Sequence, residues 1–372
     1  MTNVKKFNNP STKPKILIAP LEWGLGHATR CIPIINELIK QNCEVFIAAE
    51  GATYSLLKQE FPSLTFLPLM GYRMKYSRKK YSLPWKILAQ LPKITFTIYK
   101  EHRWLRKIVK KYKIDAVISD NRFGMCHTKI PSVYITHQLL IKTGNAFTER
   151  IAKRIHYYFI NKYNECWVPD FAQRTPDGVN GLAGELSHPK KLPQNVKYIG
   201  CLSRFQLNYS EKKYDLLISI SGPEPQRTIF EDQILNDLKS YSGKVLFIRG
   251  LPEKSEELKC ENPLVEIKNH LSAKQLNEAI LQSDMILSRC GYTTIMDLIK
   301  LQKKAILIPT PGQTEQEYLA TYLMENKMFY TIIQKDFVLQ NSLQQAYLFP
   351  FIIPEYNMEQ YKNVINQFVQ SL

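Results

Sequence analysis

The chain has 372 residues, 44% of them hydrophobic, which suits two domains of ordinary size with proper cores and excludes a disordered chain or a small disulfide-stapled scaffold. The net charge is +17, and the seven cysteines include no CxxC pair, so a reduced cytoplasmic protein is expected rather than a zinc or disulfide framework. Met1 to Lys15 read as a loose basic tail without a signal-peptide core, and no apolar run approaches the roughly 20 residues that span a bilayer.

In chain order, Lys15 to Ala19 is an apolar run bounded by prolines and reads as a buried strand. Gly24-Leu25-Gly26-His27 follows, then a helical pattern of Ile32, Ile35, Leu38 and Ile39. Cys43 to Ala49 and Leu64 to Leu67 read as strands. Between Gly71 and Lys113 stand fourteen lysines and arginines against one acid, Glu101, interleaved with Tyr72, Trp85, Phe96 and Trp104. Helix is expected there from about Trp85 to Tyr112, kinked or restarted at Pro92. Ala116 to Ser119, Ser132 to Ile135 and Glu165 to Val168 are strands, with a helix from Phe147 to Tyr163 between the last two. Val196 to Phe205 is one more strand and its exit, and Asn208 to Lys213 reads as a linker.

The alternation then restarts. Leu216 to Ile220, Val245 to Ile248, Leu264 to Ile267, Met285 to Leu287 and Ala305 to Ile308 read as strands. Phe230 to Leu238 and the closing Pro354 to Leu372 read as helices. Alternating strands and helices argue for an α/β fold with parallel sheets. The expected organisation is one α/β domain over 15–207 and a second over 214–350, followed by a terminal helix over 351–372.

Three strand-to-helix turns carry the chemistry. Glycines at Gly24 and Gly26 let the backbone turn tightly beside a ligand, and His27 opens the helix, where the dipole favours its neutral, basic form. Structural capping is an equally plain role for this histidine. Asp120 closes the strand from Ala116 and should share a sheet edge with His27, where a carboxylate would orient the ring. In the second half, Gly291, Thr293 and Thr294 begin a helix whose amides suit phosphate. Asp297 lies one turn further on and could hold a ribose diol. Glu315 and Gln316 open the next helix and could bond sugar hydroxyls. Gly222 and Arg227 lie in a third turn, with a cation able to meet phosphate. Ordinary helix capping accounts for such residues singly, less readily for three turns in one half.

These residues resemble a family. Ser288-Arg289-x-Gly291, Thr294-x-x-Asp297, a strand ending at Pro309 and Glu315-Gln316 before Ala320 look like the C-terminal half of GT-B glycosyltransferases. The branch is that of family 28, the peptidoglycan N-acetylglucosaminyltransferase and the UDP-glucuronosyltransferases. Gly24-x-Gly26-His27 with Pro33, and Ile118-Ser119-Asp120, match the N-terminal half, so the resemblance runs from about Lys15 to Gln345. It implies two Rossmann-like domains facing across a cleft, an acceptor-binding one over 15–207 and a nucleotide-sugar-binding one over 214–350, with the terminal helix 351–372 packing back on the first. It also implies transfer of a sugar from a nucleotide diphosphate donor to an acceptor hydroxyl. By it, Gly291 and Thr293 contact diphosphate, Asp297 the ribose, and Glu315 and Gln316 the sugar. The backbone near Leu271 meets the base, expected to be uracil, and His27 is the catalytic base.

Two departures stand out: Asp297 replaces the usual glutamate, and Ser221-Gly222-Pro223-Glu224 replaces a glycine-rich turn. No Asp-x-Asp is present, so the expected mechanism is inverting, with no metal and no cofactor, and with Arg227 or Arg289 stabilising the leaving diphosphate. A nucleotide-sugar epimerase or hydrolase on the same fold is the near alternative. A nucleic-acid partner is disfavoured, since no base-readout motif accompanies the charge. The basic segment, residues 72–113, is expected to dock peripherally on the inner, anionic face of a membrane and present a lipid-linked acceptor.

Overall fold

The computed structural model describes residues 13–22, 24–72, 83–172, 181–256 and 258–372, with side chains described outside 83–92. It divides into two compact units. One comprises the described parts of Met1–Arg174, Glu185–Leu202 and Asn357–Leu372; the other comprises those of Thr175–Gly184 and Ser203–Tyr356.

The first unit is built on seven strands: β1 (Lys15–Pro20), β2 (Glu44–Ala49), β3 (Thr65–Pro68), β4 (Ala116–Asp120), β5 (Ser132–Ile135), β6 (Glu165–Val168) and β7 (Val196–Tyr198). They lie parallel in the order β3-β2-β1-β4-β5-β6-β7. Such strands are covered on both faces, which is why they read as continuous apolar runs: Ile16, Leu17, Ile18, Val117 and Ile118 are fully buried. The helices are α1 (Leu25–Lys40), α2 (Gly51–Glu60), α3 (Leu83–Tyr112) and α4 (Ala146–Ile160). The chain winds outward from β1 to β3 and returns at β4, so β1 and β4 flank a topological switch point, where ligands of such sheets bind.

α3 passes through Pro92 without the expected restart. A proline removes one helix bond, but the turns that follow bury Leu105 and pack Trp104, Ile108 and Val109 against the sheet, and tertiary packing of this kind supplies most helical stability. Glu101, the one acid of the basic segment, faces inward. It accepts from Arg122 Nε at 2.8 Å, from the Tyr72 hydroxyl at 2.8 Å and from Gly124 N at 3.0 Å. The expected strand from Val196 shrinks to three residues, and irregular backbone follows it.

The second unit repeats the architecture with β8 (Tyr214–Ser219), β9 (Val245–Ile248), β10 (Val265–Lys268), β11 (Ser283–Arg289), β12 (Ala305–Ile308) and a two-residue edge strand β13 (Tyr330–Thr331), too short for a sequence pattern. The order is β10-β9-β8-β11-β12-β13, all parallel, with its switch point between β8 and β11. Its helices are α5 (Gln226–Leu238), α6 (Ala273–Leu281), α7 (Tyr292–Lys300), α8 (Thr314–Glu325) and α9 (Leu339–Leu348). α5 starts four residues earlier than the apolar periodicity indicates, because its first turn is held by polar side chains.

The last helix, α10 (Gln360–Gln370), belongs to the first unit. Phe368 meets Trp167 edge-on with ring centroids 5.4 Å apart, Ile365 is fully buried, and Gln360 Nε2 donates to Tyr198 O at 3.1 Å. Pro354 lies in the irregular stretch before it, and the helix starts six residues after that expected bound, one residue before the first of its apolar positions, Tyr361.

Candidate active site

At the β1/β4 switch point Pro20 and Asp120 are register partners, and Leu21 N donates to Asp120 O at 3.0 Å. The chain turns into α1 at Gly24, whose φ of 79° a side chain would strain. Gly26 then sits in the first turn, its carbonyl accepting from Thr29 Oγ1 at 3.0 Å. This turn carries His27 to the sheet edge, with its Nδ1 3.1 Å from Asp120 Oδ1 and its side chain 15% exposed.

Sequence reasoning missed the rest of this cluster. Arg30, one helical turn after His27, is buried and grips Asp120 with two bonds, Nε to Oδ2 at 2.6 Å and Nη2 to Oδ1. Arg30 Nη2 also lies 2.8 Å from His27 Nδ1, and Nη1 lies 3.3 Å from Nδ1 of buried His137, two residues past the end of β5. The available signal was an arginine at i+3 from the histidine on a helix face otherwise made of buried apolar residues. Burial, then the adjacent Arg30 charge, hold His27 below its ordinary value, against the pull of Asp120. Burial would raise Asp120, but the Arg30 charge and the hydrogen bonds from His27 and Arg30 outweigh it and hold the carboxyl below the carboxylate range. The arrangement is a neutral imidazole beside a permanently ionised carboxylate whose charge is already matched.

In the second unit the predicted residues gather at the β8/β11 switch point. Arg289 ends β11, Gly291 caps α7, and Thr293 and Thr294 lie half-buried in its first turn. A Cβ built on Gly291 would come no nearer than 3.9 Å to Thr294 Oγ1, so the approach to this helix end is open. Gly222, exposed with φ 125°, turns the chain after β8 and faces Thr310 Oγ1, 3.8 Å from where its Cβ would be.

Arg289 is 2% exposed and its guanidinium lies over the Phe230 ring at 4.1 Å. Nη2 donates to Gln226 O at 3.0 Å, while Nε and Nη1 have no partner among the described residues, nor has the hydroxyl of buried Thr310. Burial lowers the Arg289 guanidinium to about 10. A buried, incompletely bonded cation is costly alone, and an anion beside it would offset that cost.

Other expected contacts are already used within the fold. Arg227 bonds Glu224 Oε1 at 2.6 Å and Glu231 Oε2 at 2.7 Å, and Arg249 grips the same Glu231, so Arg227 braces α5 and is not the cation free to meet phosphate. Glu224 is turned onto Arg227 and Thr228 N, which answers its negative charge. Gln316 accepts from Thr310 N at 2.8 Å and donates to Gln313 at 2.6 Å, holding the loop before α8 instead of pointing both amide groups at a sugar. Glu315 lies beside it in the first turn of α8. Leu271, half-buried, directly precedes the Ser272 capping box of α6. Asp297, partly buried on α7, accepts from Ser203 Oγ at 2.5 Å, and burial pushes its carboxyl up to about 7. Among the described residues no group of three or more His, Cys, Asp or Glu is placed to hold a metal ion.

Residues 227–368 match the glycosyltransferase family 28 C-terminal domain, and residues 15–154 match a family described as glycosyl transferase family 1. The UDP-N-acetylglucosamine--N-acetylmuramyl-(pentapeptide) pyrophosphoryl-undecaprenol N-acetylglucosamine transferase of Haemophilus ducreyi is 24% identical over 345 residues, 88% of each chain. Among solved structures, the glycotransferase of kitacinnamycin superposes with a TM-score of 0.64 at 14% identity, over 96% of this chain and 95% of that one. MurG of Acinetobacter baumannii gives 0.52 at 13% identity, over 96% and 95%. The chain is a nucleotide-sugar glycosyltransferase of the GT-B fold with a family 28 C-terminal domain.

Proposed function

We propose that the chain transfers a sugar from a uridine diphosphate donor to an acceptor hydroxyl, with inversion and without a metal. His27 Nε2 takes the hydroxyl proton, the oxygen attacks the anomeric carbon, and the bond from that carbon to the diphosphate breaks. Arg289 and the first amides of α7 receive the negative charge of the leaving group. Asp297 holds the ribose, Glu315 the sugar, and the backbone near Leu271 the base. The observation that carries the donor half is the Arg289 guanidinium, buried at the β8/β11 switch point with two nitrogens unpaired among the described residues. Calorimetric titration with UDP in the presence of a chelator tests it. Binding by the wild type and at least tenfold weaker binding by Arg289→Met is expected; a requirement for Mg²⁺, or unchanged affinity in the variant, contradicts the assignment.

The acceptor is proposed to be lipid-linked and met at an anionic membrane surface. The Haemophilus ducreyi relative is named for a pyrophosphoryl-undecaprenol acceptor. With Glu101 turned inward, α3 exposes Lys93, Lys100, Arg103, Arg106, Lys107 and Lys110 beside Phe96 and Tyr99. α4 exposes a stripe at helical spacing, Phe147 69%, Ile151 45%, Ile155 46% and Tyr158 61%, flanked by Arg150 and Arg154. Cations beside an apolar stripe suit a lipid interface. Residues 73–82 of the basic segment lie outside the described residues. No described helix is long and apolar enough to cross a membrane. Flotation with neutral and anionic vesicles is the test. Binding to anionic vesicles alone, lost when Arg103, Arg106 and Lys107 become Glu or when Phe147 and Ile151 become Ser, supports the reading; no binding to either sinks it.

A further inference from the structure

The cluster at the β1/β4 edge contains a competition for one atom. His27 Nδ1 lies 2.8 Å from Arg30 Nη2 and 3.1 Å from Asp120 Oδ1, while Arg30 Nε and Nη2 already hold both carboxylate oxygens. A guanidinium has only donors. Where Nη2 donates to His27 Nδ1, that nitrogen is an acceptor, so the proton of the neutral ring sits on Nε2. The outward nitrogen is then a donor and cannot accept a hydroxyl proton. Where Nδ1 carries the proton and donates to Asp120, Nε2 has a free lone pair. Both arrangements need the same nitrogen, so they exclude each other.

We infer that Arg30 is a positioning residue that selects the His27 tautomer: it holds the free protein with the proton on Nε2, and the base form arises when Nη2 releases Nδ1 while keeping Asp120. The shorter of the two contacts is the one from arginine, and the Asp120 oxygen facing the ring is already paired. The charged or titratable groups acting on His27 are Arg30, Asp120 and His137; burial and Arg30 oppose its protonation and Asp120 favours it. The ring therefore stays neutral near pH 7, and what remains to be set is the position of its one proton. His137 gives Arg30 Nη1 a second anchor at 3.3 Å, so the fork has a fixed seat on Asp120 and His137 from which Nη2 can release Nδ1. In the resting form the site presents an N–H where the reaction needs a lone pair.

This inference rests on reading His27 as the base, and the experiment separates the two. The full chain labelled with ¹⁵N-histidine is examined by long-range ¹H–¹⁵N correlation, with His27 assigned from the spectrum of His27→Gln. The wild type should show a protonated Nε2 and an unprotonated Nδ1. In Arg30→Met no side-chain donor replaces Nη2 at Nδ1, and the proton should move to Nδ1 and be donated to Asp120. In Arg30→Gln the acid limb of the kcat profile should also rise by at least roughly half a pH unit, because a nearby cation has been removed. A wild type already protonated at Nδ1, or an Arg30→Met protein that keeps the wild-type tautomer, overturns the inference whatever its activity. If the tautomer moves as expected but His27→Ala turns over normally, Arg30 keeps this role and His27 loses the base assignment. The wild-type spectrum needs no variant, so a misfolded Arg30→Gln cannot shield the idea.

Discussion

Asp297→Asn should make the protein more stable at alkaline pH and poorer at binding its donor. The carboxyl sits partly buried on α7 with Ser203 Oγ as its partner, and burial raises it from an ordinary 3.8 to about 7. A group raised in this way contributes fully while protonated, below its unfolded value, and loses that contribution as the pH climbs through 7. The gap between the two values sets an upper limit of about 4 kcal/mol at pH 8. Partial exposure and the retained Ser203 bond reduce it, so roughly 1–2 kcal/mol is the expected gain from asparagine, which cannot ionise. For a chain of this size that is about 1–3 °C in Tm. Urea and thermal unfolding of both proteins at pH 5 and pH 8 measure it: a clear advantage for the variant at pH 8 and a smaller one at pH 5. UDP affinity should fall about tenfold in the same variant. A variant equally destabilised at both pH values would refute the reasoning, because the carboxyl would then be ionised and stabilising in the fold.

Three further outcomes follow from the two switch points. His27→Ala should lower the transfer rate at least ~10²-fold with donor affinity unchanged, measured by single-turnover kinetics and calorimetry. Asp120→Asn leaves Arg30 buried without its carboxylate and should cost about 3–5 kcal/mol in urea unfolding. Asp120 is depressed in the fold, so its contribution is present at neutral pH and is lost as the pH falls below the ordinary carboxylate range. Arg289→Met should raise Tm in the absence of ligand, since it removes a buried cation incompletely paired among the described residues, and should abolish the stabilisation that UDP gives the wild type.

The sheets were legible because parallel strands covered on both faces are short apolar runs, and β1, β4, β8 and β12 stand out on that ground alone. The strand-helix turns followed, since glycines between an apolar strand and a helical pattern mark a tight turn. Side-chain pairing was not legible. Nothing along the chain says that Arg227 answers Glu231 while Arg289 rests on Phe230 with two of its nitrogens unpartnered among the described residues. Arg30 reads as one more cation in a basic protein until the fold sets it against Asp120, ninety residues away. The α4 stripe shows the limit of periodicity: Phe147, Ile151, Ile155 and Tyr158 mark a helix face, yet the face buried is the one with His156 and Ile160.

The return of α10 to the first unit has a consequence for synthesis. Trp167 and its neighbours are translated long before Ile365 and Phe368, and all of the second unit comes between them. On a ribosome the second unit can finish first, while the first waits with one apolar face uncovered. A fragment ending at residue 202 would keep that face bare in the same way. Supplying a peptide of residues 357–372 should restore its solubility, which would make the chain's last sixteen residues a separable closing piece.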